Sequence, residues 1–218
     1  MISHDIAKMI DHSLLMPDMT AEDVKNGCAL ARRFLTASVC VRPCDVALAE
    51  SMLRGSGVAV GTVIAFPHGS NQTEIKVLEA RRAMDDGATE LDMVLNIGRL
   101  RSGNHDYVCE DIEAVVRAAH QSGVIVKVIL ETGYLSDEEK VTACRLSAQA
   151  GADFVKTSTG YGPGRYTLRD IRLMAEAVEG RCRIKAAGGI RTLADVLAAR
   201  EAGCDRVGAT AIGPILEE

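Results

Sequence analysis

The sequence predicts an α/β protein built as a (β/α)8, or TIM, barrel in a single domain over residues 1–218. Three observations lead there. A phrase of Gly with a small residue, followed by a short apolar run, recurs as SGVAVGTVI (56–64), DGATELDMV (86–94), SGVIVKVIL (122–130), AGADFVKTS (150–158) and AGCDRVGAT (202–210). Amphipathic segments separate these runs at a repeat of about 30 residues, the length of a strand–helix unit. Seven strands are clear and a weaker eighth opens the chain, which is the number that closes a barrel.

Taken in order, the first strand is KMIDHS (8–13), the least apolar of the set. ASVCV (37–41) and the run at 58–64 follow, rich in Val as a strand buried on both faces requires. The next helix presents Val77, Ala80, Ala83 and Met84 at helical spacing. Strands come at 90–95 and 125–130, and Ser136 before Asp137, Glu138 and Glu139 reads as an N-cap. Its helix carries Val141, Cys144 and Ala148 and leads to the strands at 153–156 and 183–186. Thr192, three residues before Asp195, caps a helix bearing Val196, Ala199 and Ala202, and the last strand lies at 206–209. In each phrase the Gly fits a helix C-cap. GPILEE leaves room for a short terminal helix, of a kind that barrels set against a substrate phosphate. The competing architecture, an open doubly wound sheet, calls for G-x-G-x-x-G after its first strand, and that fingerprint is missing.

Composition excludes several function classes. A net charge of -5 and a pI near 5.6 argue against a nucleic-acid binder. No apolar run approaches the roughly 20 residues of a membrane span. Asp5 and Lys8 stand where a signal peptide needs its apolar stretch, so the chain reads as cytoplasmic. The seven cysteines are scattered without a C-x-x-C, as small hydrophobes in a reducing compartment are. The five histidines form no metal pattern, and no metal or cofactor is expected.

Strand parity selects the candidate chemistry. Side chains of a barrel strand alternate between the helix layer and the axis. With Val155 outward, Phe154 and Lys156 point inward; with Ile184 outward, Lys185 points inward. Leu91, Met93 and Leu95 outward leave Asp92, Val94 and Asn96 inside, and Lys127 and Glu131 share an inward face. A lone lysine at a strand end is usually a snorkelling or ion-paired residue. Two lysines and an aspartate converging on one apolar mouth are costly to bury for stability alone. Burial and a second ammonium both disfavour a lysine's charged form, and a neutral amine forms a Schiff base with an aldehyde or ketone. Asp92 would then move protons between imine and enamine. STGYGPG after Lys156, AAGGIRT after Lys185 and GATAIG (208–213) bring backbone N–H groups within reach of an anion, where barrels hold substrate phosphates.

With these residues in view, the chain resembles the deoxyribose-phosphate aldolases, a family of class I, Schiff-base aldolases. IDHSLL, AFPHG, GATELDMVLNIG, VKVILETGYL, FVKTSTG, IKAAGGIRT and RVGAT carry the resemblance over nearly the whole length. It implies Lys156 as the Schiff-base lysine, Lys185 as the neighbour that lowers its pKa, Asp92 as the proton relay and Lys127 as a further polar member. It also implies Gly160, Gly188, Gly189, Gly208 and Thr210 at the phosphate, with Thr159 and Ser13 as hydroxyl-binding or relay groups. The implied reaction cleaves 2-deoxy-D-ribose 5-phosphate reversibly to D-glyceraldehyde 3-phosphate and acetaldehyde, in a homodimer. The chain departs from the family at Gly164, Arg165, Tyr166 and Thr167, where small residues are usual. It also departs at Ala211 for a hydroxyl, at Met16 for a lysine, and in ending ILEE without a tyrosine tail. Another aldehyde acceptor and a non-catalytic sugar-phosphate sensor are the alternatives. Cys40 is expected near the mouth, where an exposed thiol would meet reactive enals.

Overall fold

Four of the five glycine phrases share one structural form. In the computed structural model, which describes residues 4–217, Gly87, Gly123, Gly151 and Gly203 adopt φ of 107°, 69°, 81° and 106°, a region open to glycine and costly for a residue with a Cβ. Each glycine N–H bonds back three residues, to Met84, His120, Ala148 and Arg200. The next N–H bonds back five, from Ala88 to Ala83, Val124 to Ala119, Ala152 to Ser147 and Cys204 to Ala199. This Schellman arrangement satisfies the last helix carbonyls and delivers a buried apolar residue to the start of the next strand. The leader reading touched residues 1–3, which lie with Glu218 outside the described range.

The eight strands are β1 (Ile10–Leu14), β2 (Ser38–Val41), β3 (Ala59–Ile64), β4 (Glu90–Val94), β5 (Ile125–Ile129), β6 (Phe154–Lys156), β7 (Arg183–Ala186) and β8 (Arg206–Ala209). All pair in parallel and in sequence order, and the barrel closes because β1 pairs with both β2 and β8. Around it run α1 (His4–Ala7), α2 (Ala21–Phe34), α3 (Val46–Leu53), α4 (Thr73–Asp85), α5 (Ile97–Arg101), α6 (His105–His120), α7 (Asp137–Gln149), α8 (Leu168–Val178), α9 (Leu193–Glu201) and α10 (Gly213–Leu216). Ser136 and Thr192 cap α7 and α9 in full capping boxes with Glu139 and Asp195, as the sequence predicts, and Thr20 does the same for α2 with Asp23. The outward strand residues, among them Val39, Leu91, Met93, Val128, Val155 and Ile184, pack with Val24, Ile112, Ile171 and Val196 of the helices into one buried core. No helix among the described residues is long and apolar enough to cross a membrane.

Most strand boundaries agree with the prediction within a residue; three features differ. β1 begins at Ile10 rather than residue 8, because the α1 turn closes with the Met9 N–H on the Ile6 carbonyl. Asn96, expected inside the barrel, instead caps α5, its side chain accepting from the Arg99 N–H at 3.1 Å. On α4 the predicted Ala80 and Ala83 are buried but Val77 and Met84 are only half-buried, and Lys76 is as buried as Ala80. Its Nζ donates to Asp111 Oδ2 at 2.6 Å and to the Val94 carbonyl at 3.1 Å, while Thr73 Oγ1 donates to Asp111 Oδ1 at 2.8 Å. Glu79, one turn on, accepts from the Ala65 N–H at 2.7 Å. The polar edge of α4 thus ties together the C-terminal ends of β3 and β4 and the adjoining α6.

Both members of the Lys76–Asp111 pair are fully buried. Asp111→Ala therefore leaves a buried ammonium unpaired and is expected to cost about 3–5 kcal/mol in urea unfolding. Replacing both residues with apolar side chains of similar volume should cost far less.

Candidate active site

Alternation along the strands fills the barrel axis with an unusual load of charge. Asp11 of β1, Glu90 and Asp92 of β4, Lys127 of β5, Lys156 of β6, Lys185 of β7 and Arg206 of β8 all lie inside. Asp92 is fully buried: its Oδ1 accepts from Lys127 Nζ at 2.9 Å, and its Oδ2 accepts from both Lys156 Nζ and Lys185 Nζ at 2.7 Å. Asp11 takes Lys185 Nζ at 2.5 Å, Arg206 at 2.5 Å and Ser38 Oγ at 2.7 Å. Glu90 takes Lys127 Nζ at 2.6 Å and lies 3.4 Å from Arg206. No buried side-chain polar atom among the described residues lacks a partner.

Three carboxylates thus face four bases, and the surplus cation is identifiable. Burial alone would lower all three lysines. For Lys185 it is outweighed by Asp11 and Asp92, which hold the ammonium above its ordinary value. For Lys127 it is outweighed by Asp11, Asp92 and Glu90, which push it well above. Lys156 has only Asp92, shared with the other two. Burial therefore wins there, and the Lys185 ammonium pushes further in the same direction, so Lys156 lies below the ordinary lysine value. Burial works against the Asp92 carboxylate as well, but Lys127, Lys156 and Lys185 together hold its pKa well below the usual range.

Above Lys156 opens a cavity of about 570 Å³ at the C-terminal face of the barrel. The predicted Thr159, Gly160, Gly188, Gly189, Gly208 and Thr210 line it, as does Ser13, and Lys156 is the one lysine on its wall. Lys185 and Lys127 do not line it. Lys127 was expected among the substrate contacts; it is instead 1% exposed beneath Asp92, because three carboxylates draw its ammonium toward the barrel interior.

The glycine loops are shaped by side chains behind them. Thr157 Oγ1 donates to the Ala187 carbonyl at 3.1 Å and accepts from the Ala187 N–H at 3.0 Å, fastening the loop after β6 to the one after β7. Glu131, in the left-handed region at φ 56° and 2% exposed, accepts from the Thr159 N–H at 3.1 Å and from the Thr159 hydroxyl. Gly162 lets that carboxylate in, since a Cβ there would lie 2.7 Å from its carbon. Arg165 lays its stem over Gly189, and the Tyr166 N–H donates to the Gly188 carbonyl at 3.3 Å. Arg165 and Tyr166, two of the residues expected to depart from the family pattern, are therefore packed against the glycine loop. Cys40 is a packed residue near the axis rather than an exposed thiol: it is 2% exposed, and burial, with Asp92 nearby, pushes its thiol up to about 11.

Sequence reading missed Asp11, Glu90 and Arg206 on the axis and Tyr161 and Arg191 on the cavity wall. A signal existed for the first three. Asp11 alternates with outward Ile10, Glu90 sits two residues before Asp92, and Arg206 two before Gly208. Tyr161 and Arg191 lie on loops, where no parity rule applies.

Comparison with known proteins agrees with this geometry. Residues 6–213 match the model of a family described as DeoC/LacD family aldolase. A deoxyribose-phosphate aldolase of Caldanaerobacter subterraneus subsp. tengcongensis is 54% identical over 98% of this chain and 93% of its own length. One from Thermococcus gammatolerans is 51% identical over 100% and 97%. The tetrameric deoxyribose phosphate aldolase structure from Aeropyrum pernix superposes with a TM-score of 0.92 at 32% identity, covering 99% of this chain and 91% of that one. A closed barrel with a single cavity-facing lysine, matched to the family along nearly its full length, is a member of the DeoC/LacD aldolases.

Proposed function

We propose that the protein is a class I aldolase that reversibly cleaves 2-deoxy-D-ribose 5-phosphate to D-glyceraldehyde 3-phosphate and acetaldehyde through a Schiff base on Lys156. The observation that carries this reading is that Lys156 alone combines a place on the cavity wall with a pKa lowered by burial and by Lys185. A neutral amine at the bottom of a cavity with a glycine-lined rim is the arrangement a Schiff-base enzyme needs.

In the forward direction Lys156 Nζ attacks the C1 aldehyde of the open-chain sugar phosphate, and the carbonyl oxygen leaves as water. The resulting iminium draws electrons as the C3 hydroxyl loses its proton and the C2–C3 bond breaks. D-glyceraldehyde 3-phosphate departs, leaving an enamine on Lys156. Protonation at C2 regenerates an iminium, and water releases acetaldehyde and the free amine. Asp92, 2.7 Å from Lys156 Nζ, accepts and returns the mobile proton. Lys185, kept charged by Asp11 and Asp92, keeps Lys156 neutral and stays out of the covalent chemistry. The phosphate is received by backbone N–H groups of Gly160, Gly188, Gly189 and Gly208, with the Thr210 hydroxyl beside them; Thr159 and Ser13 meet the sugar hydroxyls. The amine itself activates the carbonyl, so the scheme calls for no metal. We further infer that the whole chain works as one barrel domain, in the cytoplasm, as a homodimer, in the breakdown of deoxyribonucleotide sugars.

Borohydride reduction in the presence of acetaldehyde should place an ethyl group on the Lys156 peptide, and Lys156→Leu should abolish cleavage in a folded protein; an adduct confined to other lysines refutes the assignment. Deoxyribose 5-phosphate should exceed deoxyribose in kcat/KM by at least about 100-fold, since two or more charge-assisted hydrogen bonds contribute about 1.5–3 kcal/mol each. A ratio near one refutes the glycine loops as a phosphate site. The pH profile supplies an independent check. The nucleophile must be neutral, so kcat/KM rises with pH through the lowered Lys156 pKa. Lys185→Met removes a like charge and moves that rise to higher pH. Asp92→Asn removes the opposite charge and moves it to lower pH, while kcat falls about 10²–10⁴-fold with the lost relay. Shifts in the same direction contradict the charge assignment.

A further inference from the structure

The outer face of α4 carries the most exposed apolar side chain of the molecule. The helix buries Lys76, Ala80 and Ala83, and it commits its Thr73 hydroxyl to Asp111 and its Glu79 carboxylate to the Ala65 N–H. On the other side Leu78 is 63% exposed, more than any other large hydrophobic among the described residues, and Ile75, one turn before it, is 47% exposed. Half-buried Val77 adjoins them. With Thr73, Glu74 and Arg81 these three residues line an open furrow of about 630 Å³ along the helix.

Two charges frame this apolar group. Glu74 and Arg81 are exposed and enter no ion pair among the described residues, whereas the neighbouring Arg82 pairs with Asp86 at 3.0 Å. Seven residues make almost two helical turns, so Glu74 and Arg81 share one face, about 10 Å apart along the axis, with Leu78 between them. At that spacing they do not reach each other. A second α4 laid antiparallel, across a two-fold axis between Val77 and Leu78, brings Glu74 of each copy against Arg81 of the other. Leu78 then meets its own counterpart at the axis. A parallel copy would set like charges together instead. The face is therefore complementary to itself, as the two halves of an isologous interface must be, and this favours a second copy of the chain over a partner of different sequence.

We propose that two copies of this protein associate through the outer face of α4, antiparallel, with Leu78 at the two-fold axis and Glu74 paired across it with Arg81. This rests on the homodimer reading above and assigns that dimer its surface. Exposed ion pairs contribute little affinity, so burial of Leu78, Ile75 and Val77 drives the association, and the two charge pairs fix its direction and register. None of these residues lines the cavity above Lys156, and substitutions here leave the catalytic machinery in place.

The test measures the dimer dissociation constant by analytical ultracentrifugation over a dilution series, for the parent and for variants whose circular dichroism matches it. Leu78→Asp puts two like charges at the axis and should raise Kd by about 30-fold or more, as loss of a central interface residue does. Glu74→Arg and Arg81→Glu each set like charges opposite one another at both ends of the contact and should each raise Kd severalfold. Mixed in equal amounts, these two variants should recover association as a heterodimer, because one then presents only positive and the other only negative charge at the paired positions. Misfolding or a general loss of apolar contact does not produce that recovery. A dimeric parent whose Kd is the same in all three variants overturns the α4 surface and leaves the homodimer standing. Weakened single variants that fail to recover on mixing overturn the antiparallel pairing. A parent that stays monomeric at every concentration is a different failure: it removes the homodimer reading, and the surface falls with it.

Discussion

Asp92, fully buried at the centre of the barrel, accepts hydrogen bonds from three lysine side chains within 2.9 Å. Without that carboxylate three lysines would converge in a medium where like charges repel far more strongly than in water. With it, each lysine is anchored, yet none has the carboxylate to itself. The sharing gives rise to an asymmetry among otherwise similar side chains. Lys127 and Lys185 find further carboxylates in Glu90 and Asp11, and Lys156 finds none. Chemical differentiation here comes from how many acids each base can reach rather than from how deeply it is buried.

The helix layer contains a useful contrast. Lys76 is as buried as any lysine on the axis, and burial lowers its pKa too. Among the described residues it shares Asp111 with no other base, it also donates to the Val94 carbonyl, and it lines none of the described cavities. A perturbed lysine is thus not by itself a reactive one. Lys156 differs in facing an open cavity and in holding its acid only in part, and both differences arise from its place at the last residue of β6.

Around the axis the loops are held by contacts of their own. Thr157 and Glu131 bind the segment after β6 through side-chain contacts to Ala187 and Thr159, so the glycine rim is set by residues outside the variable stretch. Arg165 and Tyr166 lean on Gly189 and Gly188 from behind.

Much of this architecture is written locally. A Schellman turn needs only a glycine and its neighbours, and side-chain alternation needs only a strand. Eight units, their order, and the inward direction of Asp92, Lys127, Lys156 and Lys185 were therefore legible in the sequence alone. The depth and partners of Lys127 and the cap at Asn96 were not, because parity gives direction without distance. Nor could the sequence decide which lysine on the axis has its pKa lowered. That depends on Asp11, 174 residues from Lys185, and on Glu90, 37 residues from Lys127, coming within hydrogen-bond reach when the barrel closes. Likewise Tyr161 touches Leu15 across 146 residues. Local periodicity sets which way a side chain faces; a pKa is a sum over charges in space, and only the closed tertiary structure decides those distances.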